Sequence, residues 1–264
     1  MSSGKLHFCV NLTMLFSEVP FLGRFEQAAK AGFSDVEFLF PYSEGVGNIK
    51  SRITDLGLNV VLFDVPPGNM QKGEFGTLCL PHRGEYFRQS FETALDAAEQ
   101  LHCKRLNVLF GNRVTNFPLE AQMDCAIKNL QWALPLAEKA GIILLLEPLS
   151  GMVAPTCMLQ STETAMRVIR TLNHPHLKLQ YDFFHAQINE GNLIRTMTVN
   201  FDYIGHIQIA DAPDRHEPGT GEINYKTILA KLIDLNYRGF IGLEYAPSGS
   251  SLESLAWLRQ QIKI

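Results

Sequence analysis

Four apolar runs in the second half of the chain each end on a residue able to hold a metal ion or move a proton. Leu144-Leu145-Leu146 leads into Glu147, Leu177-Lys178-Leu179-Gln180-Tyr181 into Asp182, Ile204-Gly205-His206-Ile207 into Gln208, and Phe240-Ile241-Gly242-Leu243 into Glu244. One carboxylate at a strand end is more often a helix cap or a loop residue than a catalytic group. Four such residues at equivalent places point to a site. Carboxylates with a neutral oxygen donor form a hard-ligand set, so Glu147, Asp182, Gln208 and Glu244 suit a divalent metal, Mg²⁺ or Mn²⁺, with positions left for water and substrate. Zinc would draw more His or Cys. His185, just past Asp182, is placed to touch ligand or substrate.

The elements that position these residues follow from periodicity and punctuation. Unbroken apolar runs read as strands buried on both faces, as in a parallel sheet covered by helices. Strands are expected at Leu6–Asn11, Ser34–Phe40 with Glu37 inside it, Leu58–Phe63 and Arg105–Leu109, then at the four runs above. Helical patterns alternate with them, among them Pro20–Ala31 closed by Gly32, a segment ending at Gly57, Glu85–Leu101, and a long one ending near Lys139 that Pro135 should kink. Eight strands alternating with eight helices predict a (β/α)8 TIM barrel over residues 1–264 as one domain. A doubly wound open sheet is the second choice; no GxGxxG follows the first strand.

In a barrel the strand ends converge on one mouth, which sets Glu147, Asp182, Gln208 and Glu244 facing one another. Strand alternation puts His206 on the face of Gln208, one layer deeper, as a satisfied interior histidine or a ligand. Residues 64–83, rich in Gly and Pro, open as a long loop after the third strand; a lid or a tolerated surface insertion would both fit.

A chain of 264 residues, 46% hydrophobic and 19% charged, can bury a full core. Its formal charge of −4 disfavours a nucleic-acid binder, which needs a Lys/Arg excess. No signal-peptide pattern or bilayer-length apolar run is present, so a soluble, cytoplasmic protein with a small-molecule substrate is expected. The five cysteines are scattered without a CxxC pair, which fits reduced thiols.

Several segments carry a resemblance: Asn11-Leu12-Thr13-Met14-Leu15-Phe16, Gly32 through Pro41, Leu146-Glu147-Pro148-Leu149, Asp182-Phe183-Phe184-His185-Ala186-Gln187, His206-Ile207-Gln208-Ile209-Ala210, Arg215-His216-Glu217-Pro218 with Gly221 through Tyr225, and Gly242-Leu243-Glu244-Tyr245. Over essentially its whole length the chain resembles the hydroxypyruvate isomerase family of the xylose-isomerase-like barrels. The resemblance implies interconversion of hydroxypyruvate and tartronate semialdehyde, with Glu147 and Glu244 as proton donor and acceptor. It also implies a divalent metal on Glu147, Asp182, Gln208 and Glu244, although related epimerases have His where this chain has Gln208. Isomerisation through an enediolate requires an acid–base pair and a stabiliser for the oxyanion. His185 or Arg215 could serve as that stabiliser, and Arg215 could clamp a substrate carboxylate in bidentate fashion or remain a solvated loop residue. Rival readings are a ketose 3-epimerase or other sugar isomerase, a metal-dependent DNA-repair endonuclease, and a barrel that binds a metabolite without turnover.

Overall fold

A computed structural model describes residues 5–261, the side chains of the last three excepted. Eight parallel strands, β1 His7–Asn11, β2 Asp35–Glu37, β3 Asn59–Asp64, β4 Arg105–Asn107, β5 Ile143–Leu146, β6 Leu177–Asp182, β7 Ile204–Ile209 and β8 Phe240–Leu243, pair in sequence order. The barrel closes where His7 to Val10 of β1 pair with Phe240 to Leu243 of β8. Helices follow the strands: α1 Phe21–Lys30, α2 Val46–Leu56, α3 Gly84–Leu101, α4 Leu119–Ala140, α5 Thr162–Leu172, α6 Phe183–Asn189, α7 Leu193–Val199, α8 Tyr225–Asp234, and the short pair α9 Ser251–Ser254 and α10 Ala256–Gln261. The expected TIM barrel is therefore present. No helix among the described residues is long and apolar enough to cross a membrane.

Alternation along the strands divides the apolar residues between two packing clusters. On β5, Leu144 and Leu146 join the main core with Val36, Phe63, Phe91 and Leu130, whereas Leu145 joins a smaller cluster with Cys9, Val61 and Leu62.

Three local expectations change. The second strand is shorter than its apolar run and ends on Glu37, which places this carboxylate at a strand end like the other four. Helix α4 continues through Pro135 without interruption. Pro135 and Gln131, whose carbonyl loses its amide partner, are both exposed, so water can satisfy the carbonyl and the helix is free to curve on that side. The segment 64–83 is anchored over much of its length. Thr77, Leu78, Cys79 and Leu80 are buried, Asn129 donates to the Leu78 carbonyl at 2.8 Å, and the Cys79 amide donates to the Phe110 carbonyl at 2.9 Å. Only residues 69–72 form an exposed tip.

Candidate active site

Every strand of the barrel has a buried polar side chain at its C-terminal end or within one residue of it: Asn11, Glu37, Asp64, Asn107, Glu147, Asp182, Gln208 and Glu244. Sequence reasoning singled out the last four. It missed Asn11 and Asn107, which read as members of their strands, and Asp64, which read as the start of the 64–83 loop; the recoverable signal was their position at the strand ends.

Glu147, Asp182, His185, Arg215 and Glu244 come together as expected. Asp182 ends β6 and caps α6, its Oδ1 accepting the amides of Phe184 and His185 at 2.7 and 3.2 Å. That cap turns the chain so that His185 faces back over the mouth. Its Nε2 lies 3.9 Å from both Glu147 Oε1 and Asp182 Oδ2. At the other ring nitrogen, Nδ1 accepts the Ser150 amide at 3.1 Å, which requires that nitrogen to be unprotonated. Burial pushes His185 down to about 4, against the pull of Asp182 and with the help of Arg215. The ring is therefore neutral near pH 7 with its hydrogen on Nε2, aimed at the carboxylates.

Arg215 enters from the loop after β7. Its Nη2 donates to Glu244 Oε1 at 2.7 Å and lies 3.8 Å from Asp182 Oδ2. The loop is held by Asp211, whose Oδ1 accepts the amides of Ala212 and Ile223 and whose Oδ2 accepts that of Gly219. Arg215 itself sits at φ +59°, a conformation costly for a branched or bulky side chain and here fixed by backbone bonds to Asp211 and Ala246.

The two glutamates differ in environment. Burial, then the charges of Glu244 and Asp182, drive the Glu147 carboxyl well above the usual range; Arg215 and the Asn107 amide, which donates to Oε2 at 2.7 Å, oppose this. Glu244 is also raised by burial, but Arg215 is the largest influence after burial and favours its charged form. Arg215 stays charged because Glu244, Asp182 and Glu147 outweigh its own desolvation. Both carboxyls are raised, and Glu244 is the one whose charged form the guanidinium favours directly.

Below this layer lies a second network that Glu37 organises. Burial disfavours its charge, but His206 and hydrogen bonds from His206, Gln208 and Cys9 prevail, so its carboxyl is lowered. His206 Nε2 stands 2.7 Å from Glu37 Oε2; Asn11 and Gln208 donate to Oε1 at 3.1 and 2.9 Å. His206 is thus the interior histidine beneath Gln208, paired with a carboxylate. Gly242 faces the Glu37 carboxyl, and a Cβ there would collide with both carboxylate oxygens. Gln208 lies beside Asp182 in the strand register, yet its amide is engaged within the barrel: Oε1 accepts from Gln180 at 2.6 Å while Nε2 serves Glu37. Its oxygen retains one lone pair.

Ligand atoms of Glu147, Asp182 and His185 lie within 4.8 Å of one another, close enough to hold a metal ion. Asp182 Oδ2 is buried without a hydrogen-bond partner, as an oxygen reserved for a cation would be. The carboxylate oxygens fit a divalent ion, and His185, with its hydrogen on Nε2, stands beside them as a hydrogen-bond donor.

Fold and site together define a TIM-barrel enzyme with a carboxylate-lined mouth. The profile of the xylose isomerase-like TIM barrel family matches residues 25–261, and the chain belongs to that family. It is 41% identical over 250 residues to the 2-oxo-tetronate isomerase of Pectobacterium atrosepticum, covering 95% of each chain. It is 40% identical over 253 residues to the hydroxypyruvate isomerase of Escherichia coli, covering 96% of this chain and 98% of that one. A solved structure described as an AP endonuclease, family 2, from Brucella melitensis is 36% identical with a TM-score of 0.94, over 97% of this chain and 99% of that one. Relatives of these names over nearly the full length make the chain an isomerase.

Proposed function

We propose that the chain interconverts hydroxypyruvate and tartronate semialdehyde by proton transfer between adjacent carbons. The observation that carries this is the unequal pair of buried glutamates: Glu244 bonded to a guanidinium, Glu147 to a neutral amide. Glu244 removes a proton from C3 of hydroxypyruvate, breaking the C–H bond and leaving an enediolate with its charge on the C2 oxygen. Arg215 and the Nε2 hydrogen of His185 hold that oxygen. Glu147 returns a proton to C2, the C3 hydroxyl passes its hydrogen to the C2 oxygen so that the new carbonyl stands at C3, and Glu244 releases its proton to solvent while Glu147 takes one up. Atoms balance, and no oxidant is needed.

A divalent ion, Mg²⁺ or Mn²⁺, on Glu147, Asp182, Glu244 and the free lone pair of Gln208 would polarise the substrate carbonyl as a Lewis acid. His185 keeps the oxyanion side supplied with a neutral donor, and Asp182 orients that histidine through its cap.

The name of the Pectobacterium relative supports a second substrate on the same chemistry, 2-oxo-tetronate, which is one hydroxylated carbon longer. The endonuclease description of the Brucella structure fits this chain less well. A formal charge of −4 lacks the basic excess that tracks phosphates, and a mouth of buried carboxylates suits a small polar substrate.

Proton NMR of hydroxypyruvate in D₂O tests the reading directly. Wild-type protein should exchange the C3 protons and form the aldehyde. Glu147→Gln and Glu244→Gln should each lower turnover at least about a hundredfold while leaving the fold intact. Near-normal turnover in either variant sinks the assignment.

A further inference from the structure

The side of the mouth formed by β3 and β4 enters the chemistry above only through the Asn107 amide on Glu147, yet it carries two buried polar side chains. Asp64 and Asn107 end their strands as register partners. Their backbone is fixed. The Val65 amide donates to the Asn107 carbonyl at 2.9 Å, the Asp64 amide to the Leu39 carbonyl at 2.8 Å, and Tyr42 Oη to the Asp64 carbonyl at 2.6 Å.

Asn107 uses only half of its amide. Nδ2 donates to Glu147 at 2.7 Å, while Oδ1, fully buried, has no hydrogen-bond partner. An orphaned acceptor at that depth is costly unless a ligand serves it. Asp64 adds a second pair of oxygens. Among the described residues no Lys, Arg or His forms an ion pair with it, whereas the opposite side of the mouth carries Arg215 and the His185 donor. The one guanidinium and the His185 donor thus stand on the β6 to β8 side, among Asp182 and Glu244, while the β3 to β4 side offers the free Asn107 oxygen and the Asp64 carboxyl with no cation beside them. A substrate carboxylate is drawn to the guanidinium of the first. A hydroxyl, which has a hydrogen to give, suits the second.

We propose that Asp64 and Asn107 form a subsite for the hydroxylated end of the substrate, the end away from its carboxylate, and so set how long a hydroxy-oxo acid the site accepts. This rests on the isomerase reading for its orientation. With the carboxylate on the Arg215 side and C2 and C3 between the two glutamates, the group beyond C3 meets Asp64 and Asn107. In a three-carbon acid that position is empty of carbon; in a four-carbon acid it holds the non-reacting terminal hydroxyl.

The test uses acids that bind without reacting: D-glycerate with three carbons, and D-erythronate and D-threonate with four. Their affinities are measured by titration calorimetry on the wild-type protein, Asp64→Ala and Asp64→Asn. Wild type should favour a four-carbon acid over glycerate. The ratio of four-carbon to three-carbon affinity should fall about tenfold or more in Asp64→Ala, the scale of leaving a hydroxyl unmatched in a polar pocket. It should fall at least threefold in Asp64→Asn, which keeps shape and volume and guards against a folding defect in the alanine variant. An unchanged ratio, or a wild type that does not favour the longer acid, overturns the subsite. Hydroxypyruvate turnover on the same wild-type sample separates the two claims. Discrimination without turnover removes the isomerase reading and keeps the subsite; turnover with an unchanged ratio does the reverse.

Discussion

Arg215 donates to Glu244 at 2.7 Å and in doing so breaks the symmetry of two buried glutamates that would otherwise compete equally for a proton. Removing the guanidinium should restore that competition. In Arg215→Met the Glu244 carboxyl loses the influence that favours its charged form, so its pKa rises further. A base must be unprotonated to act, so the acid limb of the kcat/KM profile should move to higher pH. The rate at its plateau should fall about 10²- to 10³-fold, the scale of losing an oxyanion donor. A plateau loss with an unmoved acid limb would separate oxyanion binding from control of the base.

His185 is pushed down to about 4 by burial. Its ring should stay neutral from pH 5.5 to 8, and the Cε1 proton resonance should show no titration step in that window. A step near 6.5 would remove its assignment as a neutral donor.

Glu147 should weaken the fold that holds it. Its folded-state pKa is raised, while in the unfolded chain it lies near 4.3. Below that value both states are protonated and no cost arises; as pH rises, the folded protein must retain a proton that the unfolded chain releases, and stability falls. Glu147→Gln should therefore be more stable by about 1 kcal/mol at pH 8, a Tm gain of roughly 2–4 °C, with a smaller gain at pH 5. Thermal unfolding in EDTA measures both.

For the metal, Asp182 Oδ2 is the sensitive atom. Added Mn²⁺ should raise the Tm of wild-type protein, and Asp182→Asn should abolish that shift because an amide replaces the free carboxylate oxygen. An equal shift in both proteins would place the ion elsewhere.

Gly242→Ala should cost about 1–3 kcal/mol, since the new methyl group meets the Glu37 carboxyl inside a closed barrel. Urea unfolding would show it, and Gly239→Ala, which meets only the end of the Tyr237 side chain, is a useful comparison.

The barrel was legible because β5 to β8 are long apolar runs with one polar residue at the end, and a pattern of that kind survives without knowledge of contacts. The same strands yielded Glu147, Asp182 and Glu244. The β1 to β4 half was less legible. Asn11 and Asn107 fell inside the expected strands Leu6–Asn11 and Arg105–Leu109, Asp64 read as the start of the 64–83 loop, and Glu37 was hidden because Phe38, Leu39 and Phe40 continue the apolar run past the end of its strand. Pairing distance decides such cases, and sequence spacing does not contain it. Pro135 and the buried stretch Thr77–Leu80 misled for the same reason: whether a proline faces water, or a loop is packed down, depends on which neighbours arrive.

The ring of strand-end acids has one more effect. Four carboxyls, Asp64, Glu147, Asp182 and Glu244, border a mouth that must admit an anion, and Arg215 supplies the only guanidinium bonded to them among the described residues. Burial already raises the Asp64, Glu147 and Glu244 carboxyls, so an incoming carboxylate makes their ionisation harder still, and its arrival draws protons from the solution. Substrate capture becomes linked to buffer: the heat of binding should vary with the ionisation enthalpy of the buffer chosen, and affinity should decline as the medium turns alkaline.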